Sequence, residues 1–253
     1  MTTTAIILAA GKGTRMESDL PKVLHEVCGR PMLAYVFDAA RAAGCDRLLT
    51  VVGHEAELVQ QTFADDADDV DWVLQSPQLG TGHAVMVCRE HLAKLSGAVL
   101  VLAGDGPLIR SETLRRLLVT HAQQRAAATL ATSILPEAGR YGRVLRGESG
   151  ELTGIVEYLD ADAGQRRIRE VNVSLYCFDA AALRDVIGEL SNDNAKGEYY
   201  LTDAVGLLRR RGARLAAVAA VPPEDVFSIN TVDELAHVGE IMAARIKEDR
   251  ANA

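Results

Sequence analysis

The sequence predicts an α/β protein: a Rossmann-like, mostly parallel sheet with helices on both faces, in a single domain with a smaller second half. Three observations predict this fold. Apolar runs of strand length lack polar alternation, as strands do when both faces are covered. Segments with helical spacing separate these runs. The first run ends in a glycine-rich loop, as strands do where they lead into a phosphate site.

The first half of the chain, residues 1–140, alternates predicted strands with predicted helices. The predicted strands are Ala5–Ala9, Arg47–Gly53, Asp71–Gln75, Ala98–Ala103 and Ala128–Leu135. The predicted helices are Pro31–Ala40, Glu55–Phe63, Thr81–Leu95 and Ser111–Arg125, with Ser111 as the expected cap of the last. This order predicts a parallel sheet covered by helices.

The second half, residues 141–229, has a different pattern. Residues 141–178 indicate strand segments with turns at 148–150 and 160–164. Two helices, a strand and a final helix are then predicted at Ala180–Leu190, Leu201–Arg211, Leu215–Val221 and Thr231–Asp249. Without a low-complexity linker between the halves, we expect one domain over 1–229, followed by a C-terminal helix within 230–253.

Composition excludes several classes of function. The net charge of −8 argues against non-specific binding to nucleic acid or to an anionic membrane, but a few local cations still suffice for phosphate ligands. The four cysteines are scattered, which favours reduced thiols in a cytoplasmic protein. The N-terminal apolar run is too short for a signal peptide, and no stretch has the length of a membrane span.

The loop after the first predicted strand carries the strongest functional signal. It contains Gly11-Lys12-Gly13, and the cations Arg15 and Lys22 follow closely. A P-loop would require Ser or Thr after Gly-Lys, and a dinucleotide fingerprint would require a third glycine. Small residues let backbone N–H groups approach phosphate oxygens, so the pattern favours a nucleotide triphosphate site, although an ordinary tight turn stays open.

Two further strand ends carry polar residues. Gln75 ends one predicted strand, with Gly80 and Thr81 soon after it, and Asp105 follows the strand Ala98–Ala103. Ligands of open parallel sheets bind beyond the carboxyl ends of the strands. Asp105 is either a turn residue or, as we favour, a ligand of Mg²⁺, which prefers carboxylate oxygen. Gln75 has a donor and an acceptor that could pair with a pyrimidine edge, but from the residue alone an ordinary exposed polar side chain is the preferred interpretation.

The string Leu8-Ala9-Ala10-Gly11-x-Gly13-Thr14-Arg15-Met16, followed by Pro21-Lys22, resembles the signature of the sugar-phosphate nucleotidylyltransferases. The fullest match is to the uridylyltransferase half of bacterial N-acetylglucosamine-1-phosphate uridyltransferases. The resemblance covers nearly all of this chain. It covers only half of those enzymes, because the sequence has no hexapeptide repeats of their β-helix acetyltransferase domain.

The resemblance implies a role for each matching residue. It implies catalytic roles for Arg15 and Lys22, and metal binding by Asp105 and Asn230. The implied nucleotide-binding residues are Leu8, Ala9, Ala10, Gly11, Gly13, Gln75, Gly80, Thr81 and Gly104. The implied sugar-binding residues are Gly142, Glu157, Asn172, Tyr200 and Thr202. Residues 1–140 therefore correspond to a nucleotide half and residues 141–229 to a sugar half.

The resemblance also implies the reaction and its partners. UMP passes from UTP to N-acetylglucosamine-1-phosphate, with Mg²⁺ as cofactor and in-line attack on the α-phosphate. A monomer is expected, since the usual trimer contacts of these enzymes come from the absent β-helix. His83 is expected to pack or hydrogen-bond near a helix start rather than to act as a base.

The sequence also departs from the family pattern. Ala103 replaces a common aromatic residue, Gly106 replaces a larger residue, and Val173-Ser174 replaces Thr-Gly. These changes leave two alternatives open. The substrate is another nucleotide or another sugar phosphate, or the protein is a catalytically silent nucleotide-sugar sensor.

Overall fold

The computed structural model describes residues 3–252, with the side chain of residue 252 left undescribed. A nine-stranded sheet and a two-stranded hairpin form its strands. The strands are β1 Thr4–Leu8, β2 Glu26–Val27, β3 Arg30–Pro31, β4 Arg47–Val52, β5 Val70–Leu74, β6 Ala98–Ala103, β7 Ala128–Ile134, β8 Arg143–Arg146, β9 Leu152–Val156, β10 Glu170–Asp179 and β11 Leu215–Ala219. The helices are α1 Met32–Ala42, α2 Ala56–Thr62, α3 Thr81–Met86, α4 Arg89–Leu92, α5 Ser111–Gln124, α6 Ala180–Ile187, α7 Thr202–Arg210 and α8 Val232–Asn252.

The main sheet is mostly parallel, which confirms the predicted fold class. Its order is β11-β7-β10-β6-β1-β4-β5, with β8 and β9 paired off this path. Strands β1, β4, β5 and β6 pair in parallel, and so do β7 and β11. Strand β10 lies antiparallel between β6 and β7. Because β10 and β11 come from the second half of the chain, both halves contribute to one continuous sheet.

The order of the parallel strands places a crevice at the centre of the molecule. From β1 the chain moves outward to β4 and β5 and then returns to β6 on the other side of β1. The order therefore reverses between β1 and β6, and in open α/β sheets ligands bind at such a switch point. The glycine-rich loop follows β1, and Asp105 follows β6, so both lie at this crevice.

Alternate residues of the strands fill two core layers. Ala5 and Ile7 of β1 belong to the cluster that packs under α1 and α5, whereas Ile6 belongs to the cluster on the opposite face. All three are fully buried. Both sheet faces are thus covered, which explains why the strands show no polar alternation in the sequence.

A third apolar cluster attaches the C-terminal helix. Val238 and Met242 of α8 pack against Met16, Met32 and Ile229. Arg245 of α8 also donates to the Leu108 carbonyl oxygen at 2.9 Å and pairs with the buried carboxylate of Asp225. These contacts hold the middle of α8 against the rest of the molecule. Over residues 3–252, no helix combines the length and the apolar character needed to cross a membrane.

Two local predictions were wrong. The predicted helix Thr81–Leu95 is two short helices, because Cys88 turns with φ −82° and ψ 5° and its N–H bonds to the Val85 oxygen three residues back. Ser111 does not cap α5: Arg110 holds the extended cap position, and Ser111 is already helical. The Ser111 hydroxyl instead accepts a hydrogen bond from Arg115 at 2.9 Å. The hairpin β2–β3 was also not predicted.

Candidate active site

The glycine-rich loop turns sharply after β1 and packs against Lys22. Gly13 has φ +64°, and a Cβ atom there would lie 2.7 Å from the Lys22 Cβ, so glycine is required on both counts. Gly11 is different, because a Cβ atom there would meet nothing within 4 Å. The fold itself therefore does not require glycine at Gly11, and the space beside it is open to a ligand.

Four of the predicted site residues form one hydrogen-bonded cluster at the crevice. The Lys22 ammonium donates to Asp105 Oδ2 at 2.5 Å and to Asn230 Oδ1 at 2.8 Å. The Arg15 guanidinium donates to the same Asn230 oxygen at 2.9 Å. The Lys22 side chain is only 10% exposed and that of Asp105 23%, so this pair is largely shielded from water.

Backbone contacts explain how Asn230 reaches this cluster. The N–H of Ile229 donates to the backbone oxygen of Asp105 at 3.0 Å, which ties the segment before α8 to the end of β6. The Glu234 carboxylate accepts from the N–H groups of Asn230 and Thr231 at 2.6 and 3.1 Å. The Thr231 hydroxyl accepts in turn from the Glu234 N–H at 3.2 Å. This capping box starts α8 and holds Asn230 in place.

The residues that were assigned to uracil form a tight turn after β5. The Gln75 amide nitrogen donates to the Gly80 oxygen at 3.0 Å and lies 3.1 Å from His83 Nδ1. Gly80 has φ +105°, and a Cβ atom there would lie 2.6 Å from the Tyr199 oxygen. The Thr81 hydroxyl accepts from the Leu201 N–H at 3.1 Å. This turn therefore joins the nucleotide half to the sugar half.

Four of the five residues that were assigned to the sugar are in mutual contact. The Thr202 hydroxyl donates to Glu157 Oε1 at 3.2 Å, and the Asn172 N–H donates to the Gly142 oxygen at 2.9 Å. A Cβ atom on Gly142 would lie 3.4 Å from Glu157 Oε2. Burial raises the pKa of Glu157 above its ordinary value, and the hydrogen bond from Thr202 partly opposes this shift.

Tyr200 lies near this group without a hydrogen bond to it. Its side chain is buried, and its hydroxyl has no hydrogen-bond partner among the described residues. Burial, with smaller contributions from Asp160 and Glu157, raises the pKa of Tyr200 to about 12. A buried hydroxyl without a partner is costly, so a hydrogen bond to a polar ligand would remove this cost.

Two residues that hold proposed site residues in place were not predicted from the sequence, one in the sugar half and one in α8. The Asn172 amide donates to the hydroxyl of the buried Tyr176 at 2.7 Å, which fixes the orientation of the amide. Nothing in the local sequence marks Tyr176 for this contact. Glu234 could have been found, because Thr231-x-x-Glu234 is the sequence pattern of a capping box.

The profile of the MobA-like NTP transferase domain family matches residues 5–179, which is more than half of the chain. The chain belongs to this family. The matched range includes the glycine-rich loop, the turn after β5, Asp105 and the first part of the sugar half, whereas Thr202 and Asn230 lie beyond it.

Curated relatives match nearly the whole chain. The bifunctional protein GlmU of Alkaliphilus metalliredigens is 43% identical over 249 residues, which is 98% of this chain and 54% of that protein. The bifunctional protein GlmU of Pelobacter propionicus is 46% identical over 97% of this chain and 53% of its own length. The chain thus spans about half the length of the curated relatives it matches.

Solved structures share the fold at low sequence identity. A UDP-glucose pyrophosphorylase in complex with UDP-glucose superimposes with a TM-score of 0.79 over 97% of this chain and 100% of that one, at 16% identity. The apo form of a UDP-glucose pyrophosphorylase gives a TM-score of 0.78 at 17% identity. These similarities support the mixed, mostly parallel sheet with its covering helices.

Proposed function

We propose that the chain transfers UMP from UTP to N-acetylglucosamine-1-phosphate, and that it releases UDP-N-acetylglucosamine and pyrophosphate. The observation that carries this proposal is the cluster of Arg15, Lys22, Asp105 and Asn230 at the switch point of the sheet. Two cations and two oxygen ligands beside a glycine-rich loop suit a reaction between two polyanions. The 43–46% identity to GlmU proteins over nearly the whole chain supports the same reaction.

The residues present fit a divalent cation, which we propose is Mg²⁺ held by Asp105 and Asn230. Their oxygens Oδ2 and Oδ1 both contact the single cationic nitrogen of Lys22, which shows that the two side chains converge on one positive charge. Magnesium in proteins is commonly held by one or two carboxylates, with water and substrate phosphates in the remaining positions. When bound, it would neutralise charge on the phosphate oxygens.

The protein's own residues supply position and charge. The acceptor is already an anion near neutral pH, so its phosphate oxygen attacks the α-phosphorus of UTP without a general base. The new P–O bond forms as the bond to the β-phosphate breaks, and pyrophosphate leaves. Lys22 would stabilise charge at the α-phosphate, while Arg15 and the loop that contains Gly11 would hold the leaving pyrophosphate.

The two substrates would meet where the halves of the chain are joined. We place uracil at Gln75, Gly80 and Thr81, with the backbone of Leu8–Ala10 and Gly104 beside the phosphates. We place the amino sugar against the connected sugar-half residues, and we propose a hydrogen bond from the Tyr200 hydroxyl, which has no partner among residues 3–252. This activity would supply a precursor of peptidoglycan in the cytoplasm.

The deciding experiment measures pyrophosphate release with Mg²⁺ across the four nucleoside triphosphates and several sugar-1-phosphates. We expect a signal confined to UTP with N-acetylglucosamine-1-phosphate. A signal with another pair would show that the changes at Ala103, Gly106 and Val173-Ser174 have altered specificity. A protein that binds a nucleotide and releases no pyrophosphate in any combination would instead be a sensor.

Variants of the cluster test the assigned roles. We expect Lys22→Ala, Arg15→Ala and Asp105→Ala each to lower kcat by about 100-fold or more, because each removes charge stabilisation from the transition state. Circular dichroism and thermal melting check that each variant is folded. A folded variant with a wild-type rate would contradict the role given to that residue.

A further inference from the structure

The cluster at the crevice presents a conflict between two assigned roles. Lys22 is assigned to the α-phosphate, and Asp105 and Asn230 are assigned to a metal ion. In this structure, however, the Lys22 ammonium is bonded to both of these oxygens, at 2.5 and 2.8 Å. The two assignments therefore require Lys22 to be in two different places.

The acceptor capacity of Asn230 is fully used in this arrangement. An amide oxygen has two lone pairs. Asn230 Oδ1 accepts one hydrogen bond from Lys22 Nζ and a second from Arg15, at 2.8 and 2.9 Å. A metal ion cannot bind this oxygen until at least one of the two cationic side chains has moved away.

The position of Lys22 is built into the fold. The side chain begins against the glycine-rich loop, where only a glycine at position 13 leaves room for the Lys22 Cβ. Its stem is buried and its ammonium ends at Asp105, which removes the cost of an unpaired carboxylate in a partly dry site. A four-carbon stem with rotatable bonds can still swing toward a new anion.

We propose that Lys22 is an internal counter-cation that occupies the metal position between Asp105 and Asn230 and leaves it when nucleotide phosphates bind. This inference rests on the proposed function, since it concerns the same metal ligands. Phosphate oxygens attract the ammonium, its departure frees Asp105 and Asn230, and the divalent cation then binds there. Metal and nucleotide affinities are therefore coupled, and the coupling is reciprocal. Lys22 thus reaches the α-phosphate by leaving Asp105 and Asn230, and the metal takes its place there.

The test is a titration of the full chain with Mn²⁺ in the absence of nucleotide, in which free Mn²⁺ is followed by electron paramagnetic resonance. We expect weak binding by the wild-type protein and binding at least tenfold tighter by Lys22→Met, which frees Asp105 Oδ2 and leaves Asn230 Oδ1 with only the hydrogen bond from Arg15. The matched control is Arg15→Met, which removes the same charge. Because Arg15 is exposed and bonds only Asn230 in this cluster, we expect a change of threefold or less.

A second readout is thermal stability. Lys22→Met leaves Asp105 without its cation, so we expect a lower Tm without metal and a larger rise in Tm with added Mn²⁺ than in the wild-type protein. The double variant Lys22→Met with Asp105→Asn should show neither the tighter binding nor the larger rise.

The outcomes separate this inference from the proposed function. Two results would contradict the role of Lys22 as an internal counter-cation without contradicting the metal site. One is equal Mn²⁺ affinity in the wild type and Lys22→Met. The other is an equal gain in Mn²⁺ affinity in Lys22→Met and Arg15→Met. If no variant binds Mn²⁺, either alone or with UTP present, the result would contradict both the metal site and the counter-cation role of Lys22.

Discussion

At the scale of single residues, Ser174 has an unfavourable backbone conformation. Its φ is +57°, in the left-handed region that glycine adopts without strain. It lies in β10 where the register with β7 shifts between Asn172 and Tyr176. The family that the sequence resembles usually has glycine at this position. A serine thus occupies this irregular position of β10 in a backbone conformation that is energetically unfavourable for it.

Ser174→Gly should therefore stabilise the protein. The left-handed conformation costs a residue with a Cβ about 1–2 kcal/mol, and the extra freedom of glycine in the unfolded chain offsets part of this. We expect the free energy of unfolding to rise by about 0.5–1 kcal/mol, measured by chemical denaturation. Ser174→Ala keeps the Cβ and is the control that should show no gain, so an equal gain there would contradict the explanation.

Glu157 gives the site a pH dependence. Burial raises the pKa of Glu157 in the folded protein, so the fold favours the protonated carboxyl. The contribution of Glu157 to the free energy of unfolding is therefore greatest at low pH. It is lost as the pH rises from the ordinary carboxyl pKa through the raised pKa of the folded protein. The hydrogen bond from Thr202 favours the ionised form and opposes part of this shift in the pKa of Glu157.

Glu157→Gln tests this dependence. We expect the wild-type free energy of unfolding to fall relative to that of Glu157→Gln as the pH is raised from about 4 to 8. Denaturation at a series of pH values measures the difference, and Glu148→Gln in an exposed turn is the matched control. A difference that does not change with pH would show that burial of the carboxylate has no such cost.

At the scale of elements, the start of α8 couples stability to the site. Its capping box satisfies N–H groups that have no partner within the helix, and one of them belongs to Asn230. The helix then continues to Val238 and Met242, which are buried against the loop after β1 and against α1. A single helix thus positions a proposed metal ligand and covers part of the core.

Removal of the cap should weaken this element. Thr231→Ala removes the hydroxyl that accepts from the Glu234 N–H, and we expect it to lower the free energy of unfolding by about 1 kcal/mol. Thr231→Ser keeps the hydroxyl and should behave as the wild type in the same denaturation experiment. Equal destabilisation by both substitutions would assign the effect to the lost methyl group.

At the scale of the whole molecule, one sheet unites the two halves of the chain. Strand β10 from the sugar half lies between β6 and β7 of the nucleotide half, and the turn at Gly80 packs against Tyr199. The halves therefore cannot separate without breaking the central sheet. This organisation is compatible with both substrates binding in one continuous crevice.

We predict that the 253-residue chain is a monomer. Light scattering coupled to size-exclusion chromatography should give a mass near 27.2 kDa that is independent of protein concentration. A mass about three times larger would show that this chain makes trimer contacts of its own.

The sequence by itself determined the fold class and most elements, and it predicted the types of residue in the candidate site. Hydrophobic periodicity and turn residues act over a few positions, so β1, the loop at Gly13 and the strand before Asp105 can be predicted locally. Even local prediction failed at Cys88, where burial of the side chain accompanies a break in the helix.

Only the tertiary structure decided how these parts meet. Lys22 and Asn230 are 208 residues apart in sequence, and their contact depends on the switch point of the sheet and on the attachment of α8. The antiparallel insertion of β10 likewise depends on which strand edges are available, which periodicity does not encode. The bond between Lys22 and the proposed metal ligands arises for the same reason: long-range packing brings the charges together, and a partly dry site then requires that they pair.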